Sequence, residues 1–324
     1  MRIVSLLPSA TESLCAIGGE SLLVGRSHEC DWPASVAHLP AVTLNQFVAA
    51  DQSPAAIDAT VRAAMASGTS LYGLDVPALT ALAPDLILTQ DLCHVCSVDV
   101  ATVRKIALAL PSRPAVVSCD ATTVEGVLDD ILLVGNAAGL DDRAIASVTA
   151  LRERMYTLGD YVNAFTQGPS TVFLEWTDPL FIGGHWIPQL IERAGGRHLL
   201  NETVPLRQAG AGSGPIGTTL RTAGKSIVVP AEAIVACQPE YLFICPCGMK
   251  MPQAHAAAET LARQSWFGQL PAARAGNVFV IDGNAMFSRP GPRIVDAFAF
   301  LVGMLSERPE VVPGDFPYVR LPRA

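Results

Sequence analysis

The segment Pro84–Thr89 sets a Pro-Asp pair before Leu86, Ile87, Leu88 and Thr89. It recurs in the second half as Pro239-Glu240 before Tyr241, Leu242, Phe243 and Ile244. Apolar runs this short, separated by helix-length amphipathic stretches, read as buried strands of parallel sheets. Ile3–Leu7 is such a run. A helix over about Ala10–Ile17 follows it, with Ser9 and Glu12 at capping-box spacing and Gly18-Gly19 as its stop. In the second half the strand Thr171–Leu174 precedes a helix over Ile187–Ala194, closed by Gly195-Gly196. The chain therefore reads twice, and the expected fold is α/β: two Rossmann-like lobes with parallel sheets.

Between the halves Ile145, Val148, Leu151, Met155, Leu158, Val162 and Phe165 are spaced only by threes and fours. That pattern predicts one long amphipathic α-helix joining the lobes. The expected organisation is an N-terminal lobe over residues 1–140, a connecting helix over 141–165 and a C-terminal lobe over 166–324, with a glycine-rich loop at 201–226. A stiff single-helix connector implies a bilobed protein with a largely pre-formed cleft.

Composition narrows the class. Half of the 324 residues are apolar and 16% are charged, which excludes a disordered chain. Acidic residues outnumber basic ones by 30 to 22 without a Lys/Arg cluster, which argues against nucleic acid and anionic membrane as partners. The longest apolar stretch, Val295–Leu305, is about half the roughly 20 residues of a spanning helix, so a core helix and no membrane insertion are expected. Pro8, Ser9, Thr11 and Glu12 cut the N-terminal apolar run short, so no cleavable signal peptide is read there. This predicts a cytoplasmic protein, or a periplasmic one if an export signal is missing from this chain. Pro8–Glu12 also occupies the turn where a dinucleotide-binding glycine motif would sit, and no phosphate-loop lysine motif is present.

Ligands of open parallel sheets bind beyond the carboxyl ends of the strands. The segments there are Ser27–Pro33, Gln90–Cys96, Glu175–Trp186, Cys245–Gly248 and Asp282–Arg293. They supply the candidate ligand contacts His28, Trp32, His94, Trp176, Phe181, His185, Trp186, Phe287 and Arg289, since aromatic faces, neutral imidazoles and an arginine are side chains that ligands use. Five of the eight cysteines lie in the same segments. Cys30, Cys93, Cys96, Cys245 and Cys247 are candidate soft ligands for zinc or an iron–sulfur cluster. Cys15, Cys119 and Cys237 read as core thiols, and His38, His198 and His255 as surface residues.

The opening Arg2–Gly18, then Val24-Gly25, Pro84–Ile87 and the closing Pro290–Arg293 resemble the cobalamin and iron-siderophore substrate-binding proteins of ABC transporters. Within that family Ser27–Pro33, the Cys93/Cys96 pair and Phe181–Trp186 look like the cobalamin-binding proteins. The resemblance covers nearly the whole chain except the glycine-rich insertion. It implies a helical-backbone, periplasmic-binding-protein-like architecture that holds a cobalamin-like corrinoid between the lobes without catalysis, with an ABC permease as possible partner. His28, His94 or His185 would then approach the cobalt or hydrogen-bond the side amides. The competing expectation is a thiolate and histidine metalloprotein, an enzyme if the metal keeps an open position.

Overall fold

The computed structural model describes residues 1–45, 52–67, 71–91, 98–205 and 221–324. The chain divides into two compact units: Met1–Gln52, Ala56–Ala121 and Gly126–Leu151 form the first, and Ser53–Ala55, Thr122–Glu125 and Arg152–Ala324 the second.

The first half of the chain runs β1 (Ile3–Ser5), α1 (Pro8–Ala16), β2 (Leu23–Arg26), β3 (Thr43–Asn45), α2 (Pro54–Ser67), β4 (Tyr72–Leu74), α3 (Val76–Leu82), β5 (Leu86–Thr89), α4 (Val100–Ala109), β6 (Ala115–Ser118) and α5 (Val124–Ala138). Its main sheet has the order β2-β1-β5-β6, parallel throughout. Strand β3 pairs antiparallel with β4 apart from that sheet. Alternation sets the packing: Val4 and Ile87 face a cluster with Leu79, Val103 and Ala107 from α3 and α4. Ile3, Leu86 and Leu88, on the other face, are also buried. Helix α1 begins at Pro8 with Leu7 as its N-cap, and no side chain caps it. The capping-box reading of Ser9 and Glu12 is thus incorrect. Proline suits the first helical position, which moves Ser9 inside the helix and leaves Glu12 fully buried.

Helix α6 (Asp141–Gly159) leads from one unit into the other. It ends before the predicted boundary, because the chain turns at Gly159, whose carbonyl accepts from Val162 N at 3.0 Å. Val162 and Phe165 lie beyond the helix, and Phe165 is fully exposed.

The second half runs β7 (Thr171–Thr177), β8 (Leu180–Ile182), α7 (Trp186–Arg193), β9 (Val204–Pro205), β10 (Arg221–Thr222), β11 (Ile227–Val228), α8 (Ala231–Cys237), β12 (Tyr241–Ile244), α9 (Met251–Ala262), α10 (Pro271–Ala275), β13 (Val278–Ile281), α11 (Ile294–Leu305) and β14 (Tyr318–Arg320). The sheet order is β11-β8-β7-β12-β13-β14. Only the centre, β7-β12-β13, is parallel; β8, β11 and β14 join antiparallel. An all-parallel second sheet is therefore not what forms. The two-residue link from β7 to β8 is too short for a crossover and closes a hairpin instead. One face carries an aromatic row in register, Phe173 opposite Phe243 and Phe243 opposite Phe279. Phe300 of α11 stands edge-on to the last two. Helix α11 is buried along most of its length, as expected of the longest apolar run. Among the described residues no helix is long and apolar enough to cross a membrane.

Candidate functional site

In the first unit the chain leaves β1 for β2 on one side and later enters β5 on the other. The strand order therefore reverses between β1 and β5, where such sheets open a crevice beyond their carboxyl ends. The segment after β5 is described as far as Asp91, so Cys93, His94 and Cys96 lie outside the described residues. The segment after β2 is the best-defined part of this edge. Thr43 Oγ1 accepts from His28 N (2.9 Å) and lies 3.0 Å from Ser27 Oγ and 2.6 Å from His28 Nδ1. His28 Nε2 is 3.2 Å from Glu29 Oε1. The ring sits 5.4 Å from that of Tyr72. Cys30 points inward, fully buried, and Thr11 Oγ1 donates to its sulfur at 3.0 Å. Trp32, joined to Pro33 by a cis peptide, is 40% exposed.

In the second unit Glu175 and Trp176 are not loop residues, because β7 continues to Thr177. Trp176 pairs with Phe181 across the β7–β8 ladder, and its Nε1 donates to Asp178 O at 3.0 Å. Both rings are half-buried. The chain then passes through Gly183 and Gly184 to His185, at φ 56° and ψ −117°. A Cβ on Gly184 would lie 2.3 Å from Ser226 N, so this turn and the strap at 224–226 are in backbone contact. His185 N donates to Gly224 O at 2.9 Å, and Asn201 Nδ2 bridges to Gly183 O and Lys225 O. Burial holds the His185 imidazole below its ordinary range, with the nearby Lys225 charge adding to the effect. The predicted glycine-rich loop is thus tied down at both ends: β9 pairs with β10, and Arg221 bonds Thr203. Residues 206–220 lie outside the described residues.

Two expected contacts face inward. Trp186 sits buried in the first turn of α7 and donates Nε1–H to Phe287 O at 2.8 Å. Phe287 packs 5.0 Å from Phe173, in the aromatic core. Arg289 is buried as well. His198, read as a surface residue, is fully buried, and both ring nitrogens lack a hydrogen-bond partner.

The strand-end segments of this unit are welded together. Cys247 N donates to Glu175 O, Gly248 N to Gly283 O and Gly283 N to Met249 O. The Asp282 carboxylate accepts from Met251 N and Asn284 N. Cys245 is fully buried while Cys247 is exposed. Burial pushes the Cys245 thiol well above its ordinary value, reinforced by Cys247 and Asp282. A thiol held neutral is a poor metal ligand. Among the described residues no three His, Cys, Asp or Glu side chains come together to hold a metal ion.

Thr43 and Tyr72 hold His28 in place and were not flagged by the sequence. Both come from the β3–β4 pair, far along the chain, and no local motif marks them.

Sheets with this strand order open their crevice beyond the strand ends, where ligands of such folds bind. The family model described as "Periplasmic binding protein" matches residues 3–285. The chain belongs to the periplasmic binding protein family, and is a binding protein rather than an enzyme. It is similar to curated cobalamin-binding proteins of Halobacterium salinarum, 24% identical over 300 residues that span 92% of this chain and 67% of theirs. Its fold is also that of solved structures. A periplasmic heme binding protein from Pseudomonas aeruginosa superposes with a TM-score of 0.67 at 20% identity, covering 99% of this chain and 96% of the other. For the periplasmic vitamin B12 binding protein of Vibrio cholerae the TM-score is 0.64 at 18% identity, over 95% and 98% of the two chains.

Proposed function

We propose that this protein binds a cobalamin-like corrinoid, with His28, Trp32, Trp176, Phe181 and His185 as the candidate contacts. The observation that carries this reading is the similarity to cobalamin-binding relatives across nearly the whole chain.

Titration with hydroxocobalamin and, separately, hemin tests the reading through visible absorption and calorimetry. Tight corrinoid binding with weaker hemin binding is expected, and Trp32→Ala and Trp176→Ala should each cost about tenfold, or about 1.4 kcal/mol. No spectral change and no heat with hydroxocobalamin would overturn it. A cytoplasmic location is the accompanying reading, and cell fractionation checks it. An ABC permease is the partner to test for onward transfer.

A further inference from the structure

Helix α2 covers little of its own surface. Of its 14 residues, Pro54–Ser67, Ala64 alone is buried. Nine of the 14 are Ala, Ile, Val or Met, and Asp58 and Arg62 are the two that carry charge. Ala56, Ala59, Ala63 and Ala66 are spaced by threes and fours, so they share one side of the helix, and all four are exposed. Met65, at the border of that side, is 59% exposed. A helix that faces solvent ordinarily puts polar residues outward. Helix α6 does so, with Asp141, Asp142, Arg143, Arg152, Glu153 and Arg154 at exposed positions. A helix as short as α2 is marginal in water unless its apolar surface packs on something.

We propose that this side of α2 is a self-association surface, on which a second copy of the chain packs its own α2 antiparallel. The charges choose the occupant. Arg62 Nε lies 2.7 Å from Asp58 Oδ2, with the arginine 60% exposed and the aspartate 16%. The two residues flank the alanine side and lie symmetrically about Thr60, close to the middle of the helix. A symmetric dimer needs a patch that complements itself. In an antiparallel pair of identical helices like flanks meet, so a two-fold axis near Thr60 and Val61 sets Asp58 of each copy against Arg62 of the other. The same axis brings Ala56 towards Ala66 and Ala59 towards Ala63, and small side chains there let the two backbones approach closely. The helix is about 21 Å long. One such pair buries less than the roughly 800 Å² per partner of a standard complex, so the dimer is weak and forms at high concentration. The inference is independent of the corrinoid reading above.

Sedimentation equilibrium of the full chain, from about 1 to about 500 μM, gives the test. The apparent mass of the wild-type protein is expected to climb from monomer towards dimer across that range. Asp58→Arg and Arg62→Asp each set like charges against each other in the pair and should weaken self-association about tenfold. An equimolar mixture of the two variants should regain it, because each supplies the charges that the other needs. Mixing cannot restore an ion pair within one helix, so this arm separates the interface from the stability of α2 itself. Ala59→Glu places a good helix former at an exposed position, and should leave the circular dichroism unchanged while abolishing the dimer. A wild-type protein that stays monomeric throughout overturns the proposal. So does a dimer that Ala59→Glu leaves intact, or a mixture no better associated than either variant alone. A monomer whose α2 amides become protected from hydrogen exchange only with hydroxocobalamin present would give this side of the helix to the ligand and overturn the dimer.

Discussion

Thr43 Oγ1 lies 2.6 Å from His28 Nδ1 while also accepting the His28 backbone N–H, so one buried hydroxyl fixes both ends of the histidine. Ser27 Oγ, 3.0 Å away, is its third neighbour. If the backbone N–H and the serine take the two lone pairs, the Thr43 proton goes to Nδ1 and the ring proton sits on Nε2, beside Glu29. Thr43→Val keeps the shape and removes all three interactions. The expected loss is about 2 kcal/mol of stability together with several-fold weaker corrinoid binding, whereas Thr43→Ser restores both. Chemical denaturation and calorimetric titration check this. A Thr43→Val protein as stable as wild type would count against it.

Acid should act on the two units in opposite senses. In the second unit, complete burial lowers the His198 pKa from 6.5 to about 4. The unfolded chain takes up a proton there before the folded one does, so the stability His198 contributes is present above pH 6.5. It drains away as pH falls toward 4, by on the order of 3 kcal/mol. In the first unit, Asp130 is raised from 3.8 to about 6, chiefly by burial. Its folded form holds a proton that the unfolded form releases, so stability gained below pH 4 is lost as pH rises through 6. Calorimetric scans at pH 7 and pH 4.5 should show the second unit weakening relative to the first. His198→Leu should remove the acid loss and Asp130→Asn should raise stability at pH 7. Identical pH profiles for wild type and both variants would refute this.

What the sequence could and could not convey follows from how local each signal is. Strands β5 and β12 were legible because a buried parallel strand is a continuous apolar run flanked by turn residues. The end of α6 was not, since Val162 and Phe165 keep the helical spacing after Gly159 has turned the chain. Phe287 and Trp186 follow strands just as ligand-binding aromatics would. Only the distant partners Phe173 and Phe300 reveal that Phe287 belongs to the core. His198 sits beside Arg197 and Asn201 and reads as polar surface, yet its burial is decided by tertiary packing. Among the candidate contacts, His28, Trp32, Trp176, Phe181 and His185 keep some exposure, and position relative to the strand ends was the signal they shared.

The thiols should divide sharply by reactivity. Burial pushes Cys15 up to about 12, aided by Glu20, Cys30 and Glu12, and it also raises Cys119 and Cys245 well above the ordinary thiol value. Cys30 is fully buried, whereas Cys247 is exposed. Thiolate, not thiol, is the reactive species. In the native protein a disulfide reagent at pH 8 should therefore modify Cys247 quickly and Cys15, Cys30, Cys119 and Cys245 only on unfolding. Cys247→Ser should remove position 247 from the rapidly labelled peptides. Mass mapping that finds Cys245 labelled as fast as Cys247 would contradict it.

Gly283 marks where the strand-end weld is tightest. A Cβ built there would lie 1.7 Å from Pro246 O, a backbone atom that cannot move aside without breaking the bonds between Gly248, Gly283 and Met249. Gly283→Ala should thus cost on the order of 3 kcal/mol and displace the segment that carries Cys245 and Cys247. Gly248 is a sharp control. It lies in the same weld but has open space at its Cβ, so its substitution meets only the strain of φ 76°. Alanine at 248 is expected to cost about 1 kcal/mol, well below the cost at 283. Equal losses at the two positions, measured by denaturant unfolding, would mean that backbone conformation rather than the close approach to Pro246 governs this edge.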